Sequence, residues 1–190
     1  MRKRDQAGKV YKAEGLVMSV YANGNRKEEM TLKEAQKFVN AVLKRSFVQR
    51  NYPLKHQIIV LDGRGRRSAC ATFRHGQYAI CLPKSMRNKY VVLHEIAHHL
   101  TWGKGHTAEF ATCLLDLVRN VLGKEQAEAL QAGFHFTGVK VKGKNGDVKA
   151  RLPRSRVQWL EETKNHFKKI QTGEIKVYLG LDELVGRETA

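Results

Sequence analysis

The chain has 190 residues, with 35 Lys+Arg against 18 Asp+Glu and a formal net charge of +17. That length suits one domain with an appendage, and a hydrophobic content of 42% is enough for one core. The charge points to a polyanionic partner, and the absence of an apolar run of about 18 residues excludes a membrane span.

The basic start Met1-Arg2-Lys3-Arg4 is followed by no apolar stretch of signal-peptide type. The three cysteines, Cys70, Cys81 and Cys113, are odd in number and lack metal-ligand spacing. Both features suggest a reduced, cytoplasmic chain and argue against a secreted wall-degrading enzyme.

Residues 6–21 read as a helix with Val10, Leu16, Val17 and Val20 inward, broken at Asn23-Gly24-Asn25. Thr31-Leu32-Lys33-Glu34 is a capping box. It opens a helix to about Arg45 with the apolar stripe Leu32, Ala35, Phe38, Val39 and Val42. Residues 57–61 are β-branched enough for a strand, and Asp62-Gly63-Arg64-Gly65 turns the chain. Residues 68–73 and 77–82 form the clearest hairpin, turning at His75-Gly76. The turn length sets Phe73 opposite Tyr78, Ala71 opposite Ile80 and Ala69 opposite Leu82 as an apolar face. Cys70 then faces Cys81 on the other side, both reduced.

Next comes the apolar run Tyr90-Val91-Val92-Leu93, continuing into His94-Glu95-Ile96-Ala97-His98. On a helix, His94 and His98 leave the same face one turn apart, so one Zn²⁺ can meet both imidazoles. Glu95 can reach a metal-held water without being a ligand. Thr101-Trp102-Gly103-Lys104-Gly105 contains two glycines, which end the helix and turn the chain back. His106 follows and is the expected third ligand, with Glu109 the alternative. Three ligands and an open fourth position suit a catalytic zinc. His99 lies about 100° round the helix from His98 and is expected to interact with the helix C-terminus.

The pattern His94-Glu95-x-x-His98, then Gly105-His106-x-x-x-Phe110, resembles the SprT-like zinc metalloproteases. Those carry a Gly after the third His, where this chain has Thr107. A closer resemblance is to small metallohydrolases of actinobacteria and their phages, whose substrates are unknown. It runs from Arg4-Asp5-Gln6 and Val10-Tyr11-x-Ala13-Glu14, through Asp62-Gly63-Arg64-Gly65, to Gly133-Phe134. It implies a zincin-like fold and a zinc site. In zincins generally, an extended peptide adds to the strand above the active-site helix. In this chain that strand is Tyr78 to Leu82, unless it is an interior strand with no free edge.

Thr107 to Leu122 reads as a helix with Ala111, Leu114, Leu115, Val118 and Leu122 on one face, closed by Gly123. Asp116 falls on its polar face and is expected to be solvated. A short helix from Lys124 to about Ala132 follows. From Thr137 to Arg156 there are seven basic residues and one acid. Val139, Val141 and Val148, with the turn Lys144-Asn145-Gly146-Asp147, suggest a basic hairpin or a flexible arm. A last helix is expected from Ser155 to about Gln171.

The expected architecture is α+β: a zincin-like metalloprotease domain over residues 1–136, its small antiparallel sheet packed on helices, with a basic extension over 137–190. The expected function is zinc-dependent peptide-bond hydrolysis, with Zn²⁺ on His94, His98 and His106 and Glu95 as catalytic base. Between Glu34 and Glu95 the only acid is Asp62, against twelve Lys or Arg. Peptide or protein is the expected substrate of the zinc site, and the charge adds DNA as an expected partner, bound through Arg64, Arg66, Arg67, Lys140, Lys142, Lys144, Lys149, Arg151, Arg154 and Arg156. The rival readings are a non-enzymatic nucleic-acid-binding protein with a closed zinc site, and a metal hydrolase of a non-peptide bond.

Overall fold

A computed structural model describes residues 5–21, 30–74 and 76–151, without the side chains of Leu16 and residues 18–21. The expected break at Asn23-Gly24-Asn25, the last helix, Arg154 and Arg156 lie outside the described residues.

The fold is mixed α+β. Helix α1 spans Ala7–Tyr21 and buries Val10, Ala13 and Val17. Helix α2, Leu32–Leu43, starts at the capping box: Glu34 N donates to Thr31 Oγ1 at 3.2 Å, and Thr31 N donates back to Glu34 Oε2 at 2.8 Å. It ends earlier than expected, and a separate short helix α3, Ser46–Asn51, follows. Ala35, Val39 and Val42 form the buried stripe of α2.

Strands β1 (Ile58–Asp62), β2 (Cys70–Arg74) and β3 (Gln77–Leu82) make one sheet in the order β1-β3-β2. The β2–β3 register is the expected one, with Cys70 opposite Cys81, Ala71 opposite Ile80 and Phe73 opposite Tyr78. All three cysteines are free.

The sheet itself departs from expectation. It is mixed, because β1 pairs parallel to β3. The strand expected to receive a peptide, Tyr78 to Leu82, is therefore central and has no free edge. Its central place also explains why Ala79 to Leu82 are buried on both faces, and why Phe73, out on β2, is 51% exposed instead of joining an apolar face. The outer edge of β1 is closed by Gln36 of α2, whose Nε2 donates to Ile58 O at 3.0 Å and whose Oε1 accepts from Val60 N at 2.6 Å.

Beyond β3, Pro83 leads through a 3-10 turn (Lys84–Met86) into α4, Lys89–Leu100. Helices α5 (Ala108–Val121) and α6 (Lys124–Thr137) follow. Helix α4 packs between the sheet and α5, α5 against α6, and α6 against α1. The last contact is close: a Cβ on Gly133 would lie 3.0 Å from Ala13 O. Helix α6 runs past Ala132 to Thr137, and it stops at Gly138, which takes a left-handed φ of 70°. Asp116 is not simply solvated, since Tyr52 Oη donates to its Oδ2 at 2.7 Å.

Strands β4 (Lys140–Gly143) and β5 (Gly146–Lys149) form the basic hairpin in place of a flexible arm. Val139 and Ala150 at its base are buried in the main core, and Lys142 N donates to Thr112 Oγ1 of α5 at 2.8 Å. No described helix is long and apolar enough to cross a membrane.

Candidate metal centre

Helix α4 presents the site. Its N-terminus is capped by Asn88, whose Oδ1 accepts from Val91 N at 2.9 Å. From Tyr90 to Ala97 all residues except Val91 are buried, which fixes the helix between sheet and α5. The helix ends at Thr101, and Gly103 (φ 77°) and Gly105 (φ 56°) adopt left-handed backbone that β-carbons disfavour. This turn brings His106 back over the face that carries His94 and His98.

Three Nε2 atoms converge. His94 and His98 stand 3.1 Å apart at Nε2, and His106 Nε2 lies 3.4 Å from His94 Nε2. Metal–nitrogen bonds of about 2.0–2.1 Å at tetrahedral angles would put the nitrogens roughly 3.3–3.4 Å apart. The three imidazoles therefore lie close enough together to hold one metal ion, and among the described residues no fourth His, Cys, Asp or Glu joins the group. Glu109, the alternative ligand, places Oε1 3.2 Å from Lys142 Nζ.

At His98 and His106 the protonation state favours coordination. Burial, then the neighbouring His94, pushes His98 down to about 2 and His106 to about 4, so both rings stay neutral near pH 7. Burial also pushes His94 down, but Glu14 outweighs it and carries His94 above its usual value. The Glu14 contact is short, 2.7 Å from Oε1 to His94 Nδ1, and both side chains are buried. In the neutral ring, with the proton on Nδ1 and donated to Glu14, the Nε2 lone pair faces the other two rings.

The N-terminal segment supports His106 in a similar way. Asp5 Oδ1 accepts from His106 N at 3.2 Å and from Ala7 N at 3.0 Å, and sits 3.5 Å from His106 Nδ1. Phe110, fully buried one turn into α5, packs under all three imidazoles with centroid separations of 5.0, 4.4 and 4.8 Å to His94, His98 and His106.

Glu95 is buried beside the triad, and its carboxylate accepts the Ala71 backbone N–H of β2. Burial raises its pKa above the usual carboxylate value, against the lowering pull of His94 and that N–H. A cavity of about 430 Å³ opens here, lined by Tyr11, Ala69, Cys70, Ala71, Glu95, His98, Trp102 and Gly103. Tyr11 stacks on His94 (5.7 Å, 19°) and meets His106 edge-on (4.8 Å, 66°). Burial, then Glu14, Glu95 and Asp5, raises its phenol above the ordinary value of 10.

His99 does not serve the helix end. It is buried, its Nε2 donates to Ala79 O of β3 at 3.0 Å, and its ring stacks on Trp102. The structure thus brings together the four residues singled out by the sequence, His94, Glu95, His98 and His106. It adds Asp5, Tyr11 and Glu14, to which sequence reasoning gave no role. Glu14 carried a signal: it falls on the stripe Val10, Ala13, Val17, where a buried carboxylate requires a partner. No protein-family model, curated protein or solved structure matches the chain.

Proposed function

We propose that the chain is a zinc-dependent hydrolase of peptide bonds, of the SprT-like type. The observation that carries this reading is the pairing of a three-imidazole cluster with a buried carboxylate, Glu95, on one wall of an open cavity. A structural zinc site is closed by four protein ligands; here the group has three among the described residues, and His98 of the three lines a cavity that a substrate can enter. Neutral imidazoles suit Zn²⁺, and a bound Zn²⁺ supplies Lewis-acid chemistry, acidifying a water and polarising a carbonyl.

The remaining work falls to the chain's own residues. Glu95, oriented by the Ala71 N–H, takes the proton of the attacking water and returns it to the leaving amine. Its raised pKa brings a carboxylate nearer the proton affinity that such a relay needs. Glu14 and Asp5 hold the tautomers of His94 and His106, and Phe110 keeps the three rings at a fixed spacing.

The test is Glu95→Gln, measured for zinc content and for cleavage of a fluorogenic peptide library. Zinc should remain at one ion per chain while cleavage falls by about 10²–10⁴. Equal cleavage by parent and variant refutes the role of Glu95, and a zinc-loaded parent that cleaves no peptide refutes the peptidase reading.

A further inference from the structure

We propose that the Tyr11 hydroxyl is a catalytic hydrogen-bond donor to the oxyanion that forms when water adds to the scissile carbonyl. This rests on the peptidase reading above. Peptide hydrolysis places negative charge on the former carbonyl oxygen, and a fixed donor aimed at that charge is among the largest contributions a site can make.

The cavity offers few such donors. Among its lining residues there is no Lys or Arg. The Ala71 N–H is already engaged by Glu95, and the Cys70 thiol accepts from Arg66 Nη1 at 3.3 Å and hydrogen-bonds Cys81. Trp102 has an indole N–H, but its ring stacks flat on His99 (5.2 Å, 3°) and edges onto Tyr78, on the sheet side. Tyr11 alone of the donors contacts rings of the metal cluster, His94 and His106. Among the described residues its hydroxyl makes no hydrogen bond, although the residue is half-buried. That oxygen is not among the buried unpartnered atoms, so on the cavity wall it is open to a substrate.

The orientation is held rigidly for a donor. Helix α1 buries Val10, Ala13 and Glu14 on either side of Tyr11, and Glu14 is tied to His94 at 2.7 Å. Two rings of the cluster then clamp the phenol ring. The electrons balance without a further reactant. The water oxygen bonds to the carbonyl carbon, the carbonyl π pair moves onto its oxygen, and the water proton goes to Glu95. Tyr11 donates a hydrogen bond to that oxygen and keeps its own proton. On collapse the C=O bond reforms, the C–N bond breaks, and the amine nitrogen takes the proton from Glu95.

The experiment is Tyr11→Phe in the full chain, which keeps the ring and removes the donor. A peptide cleaved by the parent is compared with a phosphinic peptide of the same sequence, whose tetrahedral phosphinate mimics the oxyanion. The expected result is zinc retained, KM little changed, kcat lower by about 10²–10³, and weaker calorimetric binding of the phosphinic peptide. Parental kcat and parental phosphinate affinity in the variant overturn the Tyr11 assignment and leave the peptidase reading intact. A rise in KM with kcat and phosphinate affinity unchanged also overturns it, because that pattern marks a packing role. A parent that cleaves no peptide refutes the peptidase reading, and this assignment falls with it.

Discussion

Replacing Glu14 by glutamine removes the charge behind His94 while preserving shape. The parent contact is a 2.7 Å pair between side chains only 7% and 8% exposed, so solvent screens it little. Losing the outer partner of a metal-binding histidine typically costs 10–100-fold in metal affinity, about 1.4–2.8 kcal/mol at 1.4 kcal/mol per decade. Glutamine still offers an oxygen to the Nδ1–H, so Glu14→Gln belongs at the tenfold end. Glu14→Ala leaves that buried N–H without a partner and belongs at the hundredfold end. Asp5→Asn should cost less than either, because Asp5 is 62% exposed and its Oδ1 stands 3.5 Å from His106 Nδ1. Competition for Zn²⁺ with a chromophoric chelator near neutral pH ranks the three variants, with circular dichroism reporting the fold. Parental affinity in both Glu14 variants, with the fold intact, would refute the claim that Glu14 sets the His94 tautomer.

Gly63→Ala is expected to destabilise the fold by about 1–3 kcal/mol through overpacking, read as a lowered urea midpoint. Its Cβ would fall within 2.7 Å of the Leu82 carbonyl carbon and nearer still to the Pro83 ring, and an unchanged midpoint would contradict that geometry. DNA is the polyanion we propose for the basic surface, and binding should weaken linearly in log–log with salt. Lys140 stands directly opposite Lys149 in the hairpin, a like-charge pair that costs stability unless a polyanion offsets it. Reversing the charges of Lys140, Lys144 and Lys149, all exposed, should therefore weaken a gel shift and flatten its salt slope. Reversing Arg64, Arg66 and Arg67 tests the turn beside the cavity in the same assay, and no shift at low salt in the parent removes DNA from the partners.

The metal cluster was legible because its information is local. The spacing of His94 and His98 is one helical turn, and two glycines between Leu100 and His106 allow only a tight return. The β2–β3 register was legible for a similar reason, since a short turn fixes which residues face each other. What escaped was non-local. The parallel pairing of β1 with β3 joins Ile58 to Tyr78, twenty residues on, and no periodicity within residues 57–61 encodes it. His99 was misjudged because its partner, the Ala79 carbonyl, belongs to a strand twenty residues away in sequence. Asp116 lies on the polar side of α5 but meets Tyr52, the residue just after α3, a helix the sequence did not reveal. Glu14 sits eighty residues from His94, and its place on a buried stripe hinted that a partner existed without naming it.

The distribution of roles along the chain has a thermodynamic consequence. The ligands come from α4 and the loop just before α5, but the groups behind them come from the first turns of α1 and the residues just before it. Asp5 joins α1 to His106, Glu14 joins it to His94, and Gln6 N donates to His106 O at 3.2 Å. Helix α1 is otherwise held by α6, through the close approach of Gly133 to Ala13. A metal on the three imidazoles raises the worth of the Glu14 and Asp5 contacts, because they then orient occupied ligands. Docking α1 in turn pre-sets the tautomers that a metal requires. Each event thus favours the other by the same free energy, as linkage demands. The docked α1 also brings Tyr11 to the cavity, so the helix that completes the metal support delivers the proposed oxyanion donor in the same step.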